Sequence, residues 1–136
     1  MKKVELFIPC VPTPKGRPRF TRTGHSYTPQ KTQEFEKEVC CFYSENCGAY
    51  FDGAIKVYLR FFMPIPKGTS KKKHILMVHK EIKHVSRPDL DNLAKSVLDA
   101  VNGIAYKDDS QITVLHLEKA YGENPGIEVK IIEDVE

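Results

Sequence analysis

The stretch RPDLDNLAKSVLDAVNG, residues 87–103, decides how the rest of the chain is interpreted. Its apolar residues recur at the three- and four-residue spacing of one helical face: Leu90, Leu93, Ala94, Val97, Leu98 and Val101. Pro88 precedes this pattern and Gly103 follows it, and both are typical signals of a helix boundary. The sequence therefore predicts an amphipathic helix over residues 89–102.

The residues after this helix predict two strands. Residues 112–121 and 127–132 are rich in apolar and β-branched side chains, and the sequence GENPG lies between them. A short connection that contains glycine and proline is typical of a hairpin. We therefore expect these two strands to pair antiparallel with each other.

The residues before the helix predict a strand, a helix and a second strand. Residues 4–9 are mainly apolar, residues 32–47 carry apolar side chains at helical spacing after a possible cap at Thr32, and residues 55–63 alternate with a period of two. The order strand, helix, strand, helix, strand, strand predicts one α+β domain over residues 1–136. We expect a mixed sheet of about four strands and two main helices.

Two segments do not fit this alternation. Residues 10–29 contain several prolines and glycines and are expected to form a loop. Residues 67–86 begin with a lysine run and fit either a short helix or a mobile excursion.

Length and composition indicate a globular protein. The chain has 136 residues, of which 40% are hydrophobic and 29% charged, so it can bury a core of its own. It contains neither an apolar run of about 18 residues nor a signal-peptide pattern, so we expect no membrane contact and a cytoplasmic location. The four cysteines lack CxxC spacing, which favours buried thiols over a disulfide or zinc site.

Basic residues are concentrated in two segments. The net charge of +3 is mild, but its distribution is uneven. The first segment contains Lys15, Arg17, Arg19 and Arg22, with the aromatic residues Phe20 and Tyr27, and the second contains Lys67, Lys71, Lys72 and Lys73. Such segments can bind phosphates and stack on exposed bases, although a solvated basic loop would have the same composition.

Two pairs of aspartates flank the predicted helix. Asp89 and Asp91 lie at its start, and Asp108 and Asp109 precede the next strand. The pairs can converge only if residues 103–107 run back along the helix, which is about 21 Å long for fourteen residues. Helix capping and turn formation explain each aspartate equally well from the pattern alone.

Lys95 lies one helical turn after Asp91, and Asp99 one turn further, so the three share one stripe of the helix. Such a stripe is often a surface ion-pair network of about 0.2–0.5 kcal/mol per pair. Carboxylates beside a fixed ammonium are also what phosphodiester hydrolysis with a divalent cation requires. The donors are all hard oxygens, which favours Mg²⁺, and the five histidines show no metal-ligand spacing.

The segment RPDLDNLAKSVLDAVNG, followed by DDSQI at residues 108–112, closely resembles the signature of the RusA-type Holliday junction resolvases. The first strand and PKGRPRF, residues 14–20, carry a weaker resemblance, and residues 67–86 are uninformative. The resemblance implies that Asp89, Asp91 and Asp109 are the catalytic acidic residues that bind Mg²⁺ and that Lys95 is the essential lysine. A small difference in loop length leaves Asp108 as an alternative to Asp109.

The resemblance further implies a homodimer that binds four-way junctions or other branched DNA and introduces paired symmetric nicks, in DNA recombination and repair. No organic cofactor is expected. We expect DNA contacts from residues of both basic segments and from the start of the helix: Lys15, Arg17, Arg19, Arg22, Lys72, Lys73, Arg87 and Asn92. Two alternatives are a non-catalytic DNA-binding module, whose aspartates only cap and turn, and a small metal-dependent nucleotide phosphohydrolase.

Overall fold

The part of the chain that the structure describes forms one four-stranded sheet, three helices and a small β-hairpin. A computed structural model describes residues 1–16, 19–27 and 29–135, and for Arg19, Phe20 and Tyr27 it describes the backbone alone. In chain order the elements are β1 (Lys3–Ile8), β2 (Arg19–Phe20), β3 (Ser26–Tyr27), α1 (Gln30–Asn46), β4 (Ile55–Pro64), α2 (Lys71–Val78), α3 (Leu90–Val101), β5 (Ile112–Gly122) and β6 (Gly126–Glu133). A single 3-10 turn, Asp109–Gln111, precedes β5.

The main sheet is mixed, in the order β1-β6-β4-β5. Strand β6 pairs antiparallel with β1 and with β4, whereas β5 pairs parallel with β4. The predicted hairpin between β5 and β6 is therefore wrong, because β4 lies between them. Gly122 and Gly126, which flank the connection, lie beside Pro64 and Phe62, so residues 123–125 cross over the place where β4 ends.

One hydrophobic core forms between this sheet and helices α1 and α3. Every second residue of β4, from Ile55 to Met63, is buried, as the period of two predicts. Phe35, Val39 and Tyr43 form the buried stripe of α1. The α+β class and the mixed four-stranded sheet are thus confirmed.

Helix α1 begins two residues earlier than the sequence pattern suggests. Pro29 is the cap residue, and Thr32 lies inside the helix, almost fully buried. The hydroxyl oxygen of Thr32 accepts a hydrogen bond from the backbone N–H of Gly16 at 2.9 Å. Thr32 is therefore not a helix cap. It attaches the proline-rich segment, residues 10–29, to α1 through Gly16.

The two remaining segments contain short regular elements. Residues 10–29, expected to be a loop, include the hairpin β2–β3, whose turn is closed by a hydrogen bond from Thr21 N–H to the His25 carbonyl at 2.8 Å. Within residues 67–86, α2 is a helix of eight residues capped by the Ser70 hydroxyl. A two-residue ladder and an eight-residue helix are too short to produce a clear periodic pattern.

Candidate active site

The start of α3 is held in place by a lysine from β5. The Lys119 ammonium donates hydrogen bonds to the backbone carbonyls of Ser86 and Pro88, both at 2.9 Å. The peptide bond between Arg87 and Pro88 is cis. Lys119 thereby fixes the segment that leads into Asp89, and sequence reasoning gave it no role because its two partners are backbone atoms.

Asp89 and Asp91 are exposed at this end of α3. Asp89 occupies the cap position, but its carboxylate accepts no capping hydrogen bond from the residues that the structure describes. The Asp91 carboxylate accepts a hydrogen bond from the backbone N–H of Asn92 at 2.9 Å. Capping, which explained Asp89 equally well from the sequence, is therefore not what its side chain does in the structure.

The proline-rich segment lies directly against the first half of α3. The backbone N–H of Lys15 donates to the carbonyl of Asn92 at 3.2 Å, and the Ser96 hydroxyl donates to the carbonyl of Thr13 at 2.6 Å. A Cβ on Gly16 would lie 2.6 Å from the hydroxyl oxygen of Thr32, so only glycine fits between this segment and α1. The segment is therefore fixed to α3 at Lys15, whose partner Asn92 directly follows Asp91 in the chain.

Lys15 makes ion pairs that connect this segment with two helices. Its half-buried ammonium pairs with the carboxylates of Glu36 on α1 and Asp99 on α3. Burial of the ammonium opposes its charge, but the two carboxylates outweigh that effect and raise the pKa of Lys15 above its usual value. Lys15 was predicted to contact phosphate; in the structure its charge is already neutralised by two carboxylates, and it positions the segment.

Lys95 lies on the exposed stripe of α3 between Asp91 and Asp99. Its ammonium is 3.2 Å from the Asp99 carboxylate, one turn towards the end of the helix, and its side chain is 56% exposed. Lys15 approaches the same carboxylate at 3.1 Å. Asp99 thus pairs with two cations, Lys15 and Lys95. The sequence pattern placed Asp99 on this stripe but did not predict the contact with Lys15.

Asp108 and Asp109 have different environments. The Asp108 carboxylate accepts hydrogen bonds at the start of the 3-10 turn, including one from Ser110 N–H at 3.1 Å, and these hydrogen bonds lower its pKa. Gln111 completes a capping box, and its amide also donates to the carbonyls of Phe51 and Gly53. Asp108 therefore has a structural role, which favours Asp109 as the site residue.

The turn that contains Asp109 lies at the far end of α3. The buried Tyr106 hydroxyl donates to the Leu98 carbonyl at 2.8 Å, so residues 103–107 turn back at the end of the helix and do not run along it. Burial, followed by the charges of Asp109 and Asp99, raises the pKa of the Tyr106 phenol. Asp109 is thus a neighbour of the last turn of α3.

The two acidic pairs are consequently separated within one chain. Strand β5 starts just after Asp109, whereas its contact with the segment before Asp89 is made by Lys119. About 23 Å of strand separates Ile112 from Lys119. In the described part of the chain, no three histidine, cysteine or acidic side chains lie close enough together to hold a metal ion. The expected convergence of the two pairs does not occur in a single chain.

The basic residues predicted to contact DNA lie on several different elements of the fold. Arg87 is exposed two residues before Asp89, and Arg22 is exposed in the turn between β2 and β3. Lys72 and Lys73 are exposed in the first turn of α2, which packs on β5. Arg17 and the side chain of Arg19 lie outside the described residues, and Asn92 is partly buried.

The mixed α+β fold exposes carboxylates and a lysine on one helix, beside a basic segment that is held in place. Such an arrangement suits the hydrolysis of phosphodiesters with the help of a metal ion. The family model described as "Endodeoxyribonuclease RusA" matches residues 9–132, and the chain therefore belongs to the RusA endodeoxyribonuclease family. The chain is also similar to a protein of Bacillus subtilis (strain 168) named "Uncharacterized protein YqaN", with 35% identity over 128 residues and 90% of each chain covered. The resemblance inferred from residues 87–112 is confirmed.

Proposed function

We propose that this protein is a magnesium-dependent, structure-selective endodeoxyribonuclease that resolves four-way junctions and other branched DNA by paired symmetric nicks, in recombination and repair. One observation carries the proposal. Asp89 and Asp91 are exposed at the start of α3, and Lys95 is exposed one turn after Asp91. The proline-rich segment is hydrogen-bonded to α3 at Asn92, and the chain belongs to an endodeoxyribonuclease family.

Asp89, Asp91 and Asp109 are the residues we expect to hold Mg²⁺. Their carboxylates are hard oxygen donors, and Asp89 is not engaged in capping within the described chain, so the donor chemistry fits this ion. When bound, Mg²⁺ lowers the pKa of water and neutralises charge on the phosphate. The Lys95 ammonium stabilises charge that develops on the departing oxygen, and Asp99 holds this ammonium on the same stripe of α3.

The separation within one chain makes a second copy necessary for a three-carboxylate site. We propose that each site takes Asp89, Asp91 and Lys95 from one protomer and Asp109 from the other protomer of a homodimer. A two-fold dimer then has two equivalent sites, which matches a four-way junction that receives two symmetric nicks.

We expect the DNA backbone to be contacted by five basic sites: Arg87, Arg22, the lysines of α2, Arg17 and Arg19. The side chains of Arg87, Arg22 and the lysines of α2 are exposed, which leaves them free to displace counterions from phosphates. Asn92 is expected to contact a phosphate close to the helix start. No helix in the described part of the chain is long and apolar enough to cross a membrane, and the cytoplasmic location stays a prediction.

The test is cleavage of a labelled four-way junction and a matched linear duplex, with and without Mg²⁺. We expect paired nicks that are confined to the junction and that require Mg²⁺. The variant Asp91→Asn should keep junction binding and lose at least about a hundredfold of the nicking rate, because it loses a ligand to the cation. Asp52→Asn, which changes an exposed aspartate in the connection before β4, is the matched control and should cleave normally.

Full Mg²⁺-dependent cleavage by Asp91→Asn would refute the assignment of this residue. Salt-sensitive DNA binding without cleavage by the unmodified protein, with any divalent ion, would identify a non-catalytic binding module instead. Hydrolysis of free nucleotides with no action on the junction would identify a nucleotide phosphohydrolase.

A further inference from the structure

One carboxylate of α3 is divided between two lysines. The Lys95 ammonium lies 3.2 Å from Oδ1 of Asp99, and the Lys15 ammonium lies 3.1 Å from Oδ2 of the same carboxylate. Each oxygen of Asp99 therefore faces a different cation. Lys95 belongs to α3 itself, whereas Lys15 belongs to the proline-rich segment, so residues from distant parts of the chain share one negative charge.

The two ion pairs differ in their contact with water. The side chains of Lys15 and Asp99 are 24% and 22% exposed, whereas that of Lys95 is 56% exposed. Charges that are partly withdrawn from water are screened less and attract each other more strongly. In addition, a lysine that precedes its acidic partner by four residues of a helix makes a weaker pair than the reverse order does. Lys15 is therefore the stronger partner of Asp99, and Lys95 is the weaker one.

Lys15 is also the partner that is fixed in position. Its ammonium pairs with Glu36 of α1 as well as with Asp99, and its backbone N–H donates to the carbonyl of Asn92 at 3.2 Å. Within the part of the chain that the structure describes, the Lys95 ammonium pairs with Asp99 alone. Lys95 can thus leave Asp99 while Lys15 stays.

We propose that Lys15 is a positioning residue for the cleavage reaction. By neutralising part of the charge of Asp99, Lys15 weakens the attraction between Asp99 and Lys95, and the Lys95 ammonium is then free to contact the phosphate. The inference rests on the proposed function, because it concerns the step in which Lys95 stabilises charge on the departing oxygen. An ammonium that stays paired with a carboxylate contributes little to that stabilisation.

Loss of Lys15 should make Lys95 less available. Asp99 would then present its full charge to Lys95, and Glu36 would lose its ion pair on the same side of the fold. Lys95 would have to break a stronger pair before it could contact the phosphate. Lys15 therefore acts on the reaction through Asp99 and does not itself touch the DNA.

The first test is the variant Lys15→Met in the junction-cleavage assay. We expect the nicking rate at saturating junction to fall about threefold to tenfold, because a partly exposed ion pair changes an equilibrium by a factor of this order. Junction binding without a divalent cation should be unchanged. Lys15→Arg, which keeps the charge, should retain the rate. Lys37→Met removes an exposed lysine of α1 and is the matched control, which should cleave normally.

The decisive test is rescue by a second change in the same chain. Asp99→Asn added to Lys15→Met should restore the nicking rate to within about twofold of the unmodified protein, because the amide keeps an oxygen acceptor for Lys95 but has no charge. Glu36→Gln added to Lys15→Met is the control. It removes a carboxylate that pairs with Lys15 and not with Lys95, so the rate should stay low. A merely structural role of Lys15 predicts no rescue by either change.

The proposal is overturned if Lys15→Met cleaves at the unmodified rate, if Asp99→Asn fails to restore it, or if Glu36→Gln restores it equally well. If thermal unfolding shows that Lys15→Met does not fold, Glu36→Gln alone decides. This variant leaves Lys15 wholly to Asp99, so the nicking rate should equal or exceed that of the unmodified protein, and a fall of about threefold or more would overturn the proposal.

Cleavage by the unmodified protein separates this inference from the proposed function. Normal junction cleavage without rescue by Asp99→Asn would refute the positioning role of Lys15 alone. Absence of Mg²⁺-dependent cleavage by the unmodified protein would refute both.

Discussion

A mixture of two inactive variants offers the sharpest test of a site shared between protomers. Asp91→Asn removes a carboxylate at the start of α3, and Asp109→Asn removes one in the turn beside the last turn of the same helix. If each site combines Asp91 of one copy with Asp109 of the other, a heterodimer of the two variants contains one site with both changes and one intact site. If each site forms within a chain, the heterodimer contains no intact site.

The expected magnitude follows from counting. When the variants are mixed and allowed to exchange protomers, half of the dimers are heterodimers, and each has one of two sites intact, so about a quarter of the unmodified nicking rate should return. Because one site remains, the product should be a junction with a single nick. The assay is cleavage of a junction labelled on each strand in turn, followed on a denaturing gel.

The control is a mixture of Asp91→Asn with Asp89→Asn. Both changes affect the same half of the site, so each site of that heterodimer is damaged and no nicking should return. Absence of nicking in the Asp91→Asn and Asp109→Asn mixture, with heterodimer demonstrated by two affinity tags, would refute the shared site. Restoration in the control mixture would refute the assignment of Asp89 and Asp91 to one half.

Two further changes test the support of the site and of the sheet. Lys119→Met should lower the nicking rate about tenfold to a hundredfold and raise the Mg²⁺ concentration that cleavage needs, because Ser86 and Pro88 lose the ammonium that positions Asp89. Junction binding and thermal unfolding should change little. Lys56→Met, on the opposite face of the sheet, is the control, and a normal Mg²⁺ titration for Lys119→Met would contradict this role. Gly126→Ala should destabilise the fold by about 1–3 kcal/mol in urea unfolding, because its Cβ would lie 2.1 Å from the Phe7 ring and 2.8 Å from the Ile8 carbonyl oxygen. Gly53→Ala is the control and should be neutral, because its Cβ would have nothing in the described chain within 4 Å. Equal stability of the two variants would refute this prediction.

The β strands illustrate how far local sequence patterns reach. The alternation in residues 55–63 predicts β4 correctly, because one face of that strand is buried in the core and the other is only partly buried. The same rule finds β5 and β6 but cannot tell which strands are neighbours. The short connection suggested a hairpin, and only the position of β4 between the two strands shows otherwise.

The candidate site shows the same division. Sequence spacing places Asp91, Lys95 and Asp99 on one stripe of α3, because helical geometry is local. It cannot show that Lys15 bridges Asp99 and Glu36, since these residues come from three separate segments. Nor can it show that Lys119 binds the carbonyls before Asp89, because a backbone acceptor leaves no signature in the sequence.

The sequence by itself determined the helix of residues 90–101, the residues that form its two faces, the α+β class and the family to which residues 87–112 point. These features follow from periodicity and from short motifs, which are properties of neighbouring residues. The tertiary structure alone decided the order of the strands, the attachment of the basic segment to α3 and the separation of Asp109 from Asp89. Those depend on how distant segments pack, and a chain with the same local patterns could have packed them in another order.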